Sequence, residues 1–134
     1  MTFTLTQFFP QDYKPTYQEL ENGTLWCYRN NLMGGIYENE TGNKLSYILT
    51  SGYRTPEHNA KIGGAKNSFH TKGMAGDILD TLDQLYGKWI VAQSPLFLKE
   101  MQLSIENLQF TKKKTAWVHT DLAMRGGEYK VFIP

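Results

Sequence analysis

The stretch Ser51–Asp77, SGYRTPEHNAKIGGAKNSFHTKGMAGD, carries most of the chemically distinctive residues of this chain. It contains Arg54, several glycines, and then His70 and Asp77, which are separated by six residues. A second histidine, His119, follows in the segment TAWVHTDL. Two neutral imidazoles and one carboxylate form a ligand set typical of catalytic zinc, whose fourth position is left to water. His70, Asp77 and His119 are therefore a candidate zinc site, although two histidines and a carboxylate at such spacing also arise by chance.

Length, charge and cysteine content narrow the class of protein. A chain of 134 residues predicts one domain with a single core. Fourteen basic and thirteen acidic residues give a formal charge of +1, which offers no electrostatic basis for binding nucleic acid or an anionic membrane. Cys27 is the only cysteine, so no internal disulfide can form, and we expect it to be a small buried hydrophobe. We expect a monomer.

The N-terminal sequence, MTFTLTQFFPQDYK, lacks both a basic start and an apolar stretch long enough for a signal peptide. No later segment approaches the length of a transmembrane helix. We therefore expect a soluble protein that is synthesised in the cytoplasm and does not bind a membrane.

Patterns of apolar residues predict helices early in the chain and strands in its last third. Residues 1–15, which include Pro10, suit an extended N-terminal arm. Thr16 and Glu19 have capping-box spacing and predict a helix to about Tyr37, which Gly23 could divide in two. A short helix at residues 55–62 and a helical region at 81–99, broken at Pro95, are also predicted. Strands are predicted at residues 45–53, 74–79, 102–110, 116–122 and 129–133.

Together these elements predict an α+β fold over residues 1–134, a mainly antiparallel sheet flanked by helices. Along the strand 116–122, alternation places Trp117, His119 and Asp121 on one face. Asp121 is therefore a candidate for orienting a metal ligand or stabilising the fold nearby.

The segment SGYRTPEHN…GGAKNSFHTKGMAGDI, followed by WVHTDL, resembles the zinc D-alanyl-D-alanine carboxypeptidases. Their relatives include vancomycin-resistance D,D-dipeptidases, phage endolysins that cut peptidoglycan peptides, and the hedgehog signalling domain. The resemblance covers roughly residues 48–122, and its motif S-x-H-x-x-G-x-A-x-D with a later W-V-H-x-D is specific. It implies a hedgehog/D,D-peptidase-like fold in which zinc is bound by His70, Asp77 and His119. It also implies that Arg54 grips a substrate carboxylate or peptide carbonyl and that Ser68 hydrogen-bonds the substrate.

The sequence departs from the family pattern at one position. Many relatives place an acidic residue three positions before the last histidine ligand, where it serves as general base and then as general acid. Here that position is Ala116. The role would then fall to Glu106, if residues 102–110 form a hairpin with 116–122, or to Asp121. We favour Glu106, because Asp121 is a candidate for orienting its neighbours.

The function implied is metal-assisted hydrolysis of peptide bonds in peptidoglycan stem peptides, by a D,D- or L,D-peptidase. Without a signal peptide, such an enzyme would suit a phage or prophage endolysin that acts on the cell wall after release or as part of a virion; a cytoplasmic dipeptidase remains open. An alternative is a zinc-binding module, structural or wall-binding, that has lost hydrolysis, which Ala116 permits. A third is a globular domain whose histidines are incidental.

Overall fold

Helices and one sheet make up the structure, a computed structural model that describes residues 1–134. No helix combines the length and the apolar character needed to span a bilayer. The predicted α+β class is confirmed. The helices are α1 (Leu5–Phe8), α2 (Tyr17–Thr41), α3 (Pro56–Lys61), α4 (Leu85–Ala92) and α5 (Leu96–Met101), with short 3₁₀ turns at Phe69–Lys72 and Leu108–Phe110. The strands are β1 (Leu49–Ser51), β2 (Ala75–Asp80), β3 (Ser104–Glu106), β4 (Ala116–Asp121) and β5 (Val131–Phe132).

The long helix α2 begins at the predicted capping box. The Thr16 hydroxyl accepts from the Glu19 backbone N–H at 3.1 Å, and the Glu19 carboxylate accepts from the Thr16 N–H at 2.9 Å. The helix ends at Gly42, which has a left-handed φ of 74°. The suggested division at Gly23 is wrong, because the helix runs through it without a break. A Cβ at Gly23 would lie 2.9 Å from the Phe9 ring, so this glycine permits close packing.

The N-terminal segment differs from the extended arm expected for residues 1–15. Thr4 and Gln7 form a second capping box, which starts the single helical turn α1. Phe3, Phe8 and Phe9 are buried, and the centroids of the Phe8 and Trp26 rings lie 5.3 Å apart. The burial of three aromatic side chains provides the driving force that folds this segment onto the core.

The sheet has five strands in the order β1-β2-β4-β3-β5. All neighbours are antiparallel except β3 and β5, which pair in parallel, so the largely antiparallel prediction is confirmed. Three predicted strands are shorter than expected, and of the one predicted at residues 129–133 only Val131–Phe132 forms. The one at residues 45–53 is reduced to Leu49–Ser51, following Tyr47 with its left-handed φ of 53°. The one at 102–110 stops at Glu106, and a 3₁₀ turn follows.

Helix α2 covers one face of the two central strands. Trp26 is fully buried, and its indole N–H donates to the Thr120 carbonyl of β4 at 3.0 Å. The Thr120 hydroxyl donates to the buried Asn30 amide oxygen of α2 at 2.8 Å. Cys27 is buried beside them, as predicted. The opposite face of β4 therefore remains for a cleft.

A glycine contact at this interface gives a stability prediction. A Cβ at Gly76 on β2 would lie 2.4 to 2.9 Å from Trp26 ring atoms, whereas one at Gly35 on α2 would meet nothing within 4 Å. We expect Gly76→Ala to lower the free energy of unfolding by about 1–3 kcal/mol through overpacking. Gly35→Ala should raise it by roughly 0.5–1 kcal/mol, because alanine is the better helix former. Urea unfolding measures both; equal effects would contradict the predicted close fit of Trp26.

Candidate metal centre

The three predicted ligands come together in the structure. Asp77 of β2 and His119 of β4 are direct cross-strand partners. His70 comes from the 3₁₀ turn Phe69–Lys72, which Gly73 ends with a φ of 72° just before β2. The Asp77 Oδ1 atom lies 2.8 Å from His119 Nδ1 and 3.3 Å from His70 Nε2. His70 and Asp77 are buried, the His119 side chain is 12% exposed, and the three ligand atoms lie within 4.8 Å of one another.

The other nitrogen of each imidazole has a hydrogen-bond acceptor. His70 Nδ1 lies 2.8 Å from the Gly52 carbonyl oxygen, so it donates. His119 Nε2 lies 2.9 Å from Asp121 Oδ2 and donates to it. The lone pairs of His70 Nε2 and of a neutral His119 Nδ1 then face Asp77 Oδ1. Acceptors this close require a proton or a cation among them, and two imidazoles with one carboxylate are a donor set that suits zinc.

Ionisation in the cluster follows from these contacts. Burial acts to raise the pKa of Asp77, but the hydrogen bond from His119 and the adjacent imidazole of His70 hold that pKa well below its usual range. Burial acts to lower the pKa of His119, but hydrogen bonds to Asp121 and Asp77 raise it to about 10. The metal-free protein therefore holds a proton on His119 that a metal ion must displace.

Asp121 lies fully buried behind His119, and both of its oxygens are occupied. Its Oδ2 accepts from His119 and, at 2.9 Å, from an Arg125 nitrogen. Its Oδ1 accepts from the other Arg125 nitrogen at 2.9 Å and from the Ala123 backbone N–H at 3.1 Å. These bonds favour an orienting role for Asp121. Arg125 was not predicted as a site residue, because its only signal in the sequence is its place four residues after Asp121, before Gly126 and Gly127.

Arg54 lies on the wall of the same cleft. Its guanidinium donates to Ser51 Oγ at 2.9 Å, to Asn59 Oδ1 at 3.2 Å and to Asp77 Oδ2 at 3.5 Å. Asn59, also missed in the sequence, is buried and donates to the Ala65 carbonyl at 2.8 Å. Of the five N–H groups of an arginine, two remain without a partner in the chain. Arg54 is thus anchored in place while two donors remain for a ligand.

Ser68 lines the cleft and also caps the 3₁₀ turn, since its hydroxyl oxygen accepts from the His70 backbone N–H at 3.2 Å. That bond leaves the hydroxyl hydrogen free to donate. The third histidine, His58, is exposed on α3, outside the cleft-lining residues.

Glu106 faces the cleft, a cavity of about 460 Å³. Strands β3 and β4 pair with Ile105 opposite Thr120, and continuing this register puts Glu106 beside His119. Its carboxylate accepts no hydrogen bond from the chain. Burial raises the pKa of Glu106; His119 opposes this rise, whereas Asp77 and Asp121 add to it.

Ala116, the position of the acid in many relatives, lies on the core face of β4 in this chain. Side chains alternate between the two faces of a strand, so a residue three positions before His119 points to the face opposite it. Ala116 is fully buried on that face. The predicted face of Trp117, His119 and Asp121 does line the cleft. A side chain larger than the Ala116 methyl group would enter the core.

A protein-family model described as Peptidase M15 matches residues 31–121, more than half of the chain. The matched segment includes the candidate ligands and Glu106, and it ends at Asp121, before Arg125. No curated protein matches the sequence.

Metal removal should destabilise the fold, because these ligands are assembled only in the folded state. At a zinc concentration a hundredfold above Kd, we expect stabilisation of about 2.7 kcal/mol, which a chelator removes. His119→Ala should abolish this dependence, whereas the exposed His58→Ala should retain it. Thermal denaturation with and without chelator measures the difference; an equal response in both variants would rule out the triad.

Zinc binding should release a proton. Because the pKa of His119 is raised to about 10, the metal-free ring is charged at pH 7 and must lose a proton when its Nδ1 binds zinc. We expect release of about one proton per zinc at pH 7 and an affinity that rises about tenfold per pH unit until His119 deprotonates on its own. Calorimetry in buffers of different ionisation enthalpy measures the release; none at pH 7 would contradict a charged ring.

Proposed function

This chain belongs to the Peptidase M15 family, and from that premise we propose that it is a zinc-dependent peptidase that cleaves peptidoglycan stem peptides. One observation carries the proposal: the three ligand atoms of His70, Asp77 and His119 converge beside Glu106, a carboxylate without a partner. A purely structural zinc site is closed by four protein ligands, whereas a catalytic site keeps one position open.

Each residue of the cleft has a proposed role in hydrolysis. Zinc held by His70, Asp77 and His119 would polarise the scissile carbonyl and make water more acidic. Glu106 takes the proton from the attacking water and passes it to the leaving amine. Its raised pKa suits both steps, because a group that takes and returns a proton works best when its pKa lies near the operating pH.

Arg54 and Ser68 would position the substrate. The two unpartnered N–H groups of Arg54 can donate to a peptide carbonyl or a carboxylate, and its bonds to Ser51 and Asn59 hold them in place. Ser68, which lines the same cleft, can donate its hydroxyl hydrogen. Donors held in place before binding lower the entropic cost of orienting a peptide.

The substrate class rests on the resemblance to zinc D-alanyl-D-alanine carboxypeptidases. We propose that the substrate is a short stem peptide that contains D-residues and that the bond cleaved is a D,D- or an L,D-peptide bond. The enzyme would be a phage or prophage endolysin that reaches the cell wall after release or as part of a virion. The cleft offers hydrogen-bond donors from Arg54 and Ser68, and an aromatic wall that includes Phe69 and Trp117. Both suit a peptide with small apolar side chains and carboxylates.

A second candidate is a zinc-binding module without hydrolysis. The observation that favours it is the burial of Ala116 on the core face of β4, which removes the usual position of the acid. This candidate requires that Glu106 take no part in proton transfer. The two candidates therefore differ in the consequence of changing Glu106.

Substitution of Glu106 tests the proposal. Loss of general base catalysis typically costs a factor of 10²–10⁴, so we expect Glu106→Gln to release fragments from purified peptidoglycan roughly 10²- to 10⁴-fold more slowly while still binding zinc. Mass spectrometry of the fragments identifies the bond. The exposed Glu100→Gln on α5 is the matched control and should keep full activity.

Asp121→Asn should lower both activity and zinc affinity, because its carboxylate orients a ligand. Stoichiometric zinc without any released fragment, from several wall types, would reject the peptidase and favour the binding module.

A further inference from the structure

We propose that Arg125 is a positioning residue of the metal centre, which fixes Asp121 and thereby the ring of His119. The inference rests on the proposed zinc site and extends it to a residue outside the segment that the family model matches. It assigns a task at the metal centre to the turn that follows β4, which contains Gly126 and Gly127.

The contact between Arg125 and Asp121 is a two-point fork. One guanidinium nitrogen lies 2.9 Å from Asp121 Oδ1 and the other lies 2.9 Å from Oδ2. Parallel N–H···O bonds of this kind fix the plane of the carboxylate as well as its position. The Oδ2 lone pair that remains is therefore aimed at His119 Nε2, 2.9 Å away.

Two aromatic rings hold the guanidinium in place. Its central carbon lies 3.4 Å from the centroid of the Phe132 ring and 5.3 Å from that of Phe69. Guanidinium groups stack favourably on aromatic faces. Phe132 belongs to β5 and also contacts the His119 ring, with centroids 5.8 Å apart. Arg125 is thus held from three sides, and its side chain is only 25% exposed.

Charge compensation gives a further reason for this arrangement. Asp121 is fully buried, and a buried carboxylate is costly without a partner of opposite charge. Once His119 binds a metal as a neutral ring, its Nε2–H and the Ala123 N–H are neutral donors to Asp121, and the Arg125 guanidinium is the charged one. Arg125 then supplies the only full positive charge in direct contact with Asp121.

Loss of the two hydrogen bonds from Arg125 would affect metal binding through the contact of Asp121 with His119. Asp121 would keep only the Ala123 N–H and His119 as partners, so the plane of its carboxylate, the acceptor of His119 Nε2–H, would be less firmly fixed. The ring of His119 would then no longer hold its Nδ1 toward Asp77 and His70. Outer partners of metal ligands typically contribute 10- to 100-fold in affinity.

The test measures zinc affinity without substrate, by competition with a chromophoric chelator at 25 °C, on variants shown to be folded by circular dichroism. We expect Arg125→Gln to weaken zinc binding by about tenfold or more. We expect Asp121→Asn to weaken it at least as much. Adding Arg125→Gln to Asp121→Asn should cost less than about twofold more, because residues that act through one contact are not additive.

A matched control separates this role from general stability. Arg29 also donates two hydrogen bonds to a single residue, Gln102, at 3.0 Å each, but does not line the cleft. Arg29→Gln should leave zinc affinity unchanged even where it lowers the melting temperature. Arg125→Lys keeps the charge and loses the fork, so its affinity should fall by less than that of Arg125→Gln, but by more than twofold.

Two outcomes would overturn the inference: zinc affinity of Arg125→Gln within twofold of the unmodified protein, or an equal loss in the Asp121→Asn background. Should Arg125→Gln fail to fold, Arg125→Lys decides, and unchanged affinity in that variant overturns the proposal. If the unmodified protein binds zinc and substitution of Arg125 leaves the zinc affinity unchanged, only this inference is rejected. Failure of the unmodified protein to bind zinc rejects the proposed function with it.

Discussion

The pairing of Asp77 with His119 across β2 and β4 is the contact on which the rest of this structure depends. It joins the two central strands at the cleft, and it sets two potential ligand atoms 2.8 Å apart. The opposite face of the same strands is packed against α2, where Trp26 reaches the Thr120 backbone. The sheet therefore supports the site from behind with a rigid core, and no loop has to order itself to bring these two residues together.

Charges alternate along a line that passes through this pair. Arg54 contacts Asp77, Asp77 contacts His119, His119 contacts Asp121, and Asp121 contacts Arg125. Each buried carboxylate in the line thus has partners on both sides, as buried charges require. Glu106 lines the same cleft, and its carboxylate has no hydrogen bond or ion pair with another residue. A carboxylate left unpaired in a cleft is available for proton transfer, whereas the oxygens of Asp77 and Asp121 are held by their partners.

The sequence predicted the parts of the molecule that depend on local chemistry. The Thr16–Glu19 capping box, the start of α3 at Thr55 and the two-faced pattern of β4 are properties of a few adjacent residues, and the structure has all three. The convergence of His70, Asp77 and His119 was predicted from a specific motif. The helical turn α1, the parallel pairing of β5 and the contact of Arg125 were not, because each depends on packing between segments distant in the chain.

Glu106 is carried by β3, whereas Asp77 and His119 lie on β2 and β4 and His70 in the turn before β2. In many relatives the acidic residue that serves as general base precedes the last histidine ligand by three residues. The base and the ligand therefore lie in one short stretch of chain and change together in evolution. Here they belong to separate segments that can diverge independently. If Glu106 is the proton carrier, a single codon change would turn an enzyme into a metal-dependent binding protein with an unaltered fold. The same separation would let selection restore catalysis by reversing that one change.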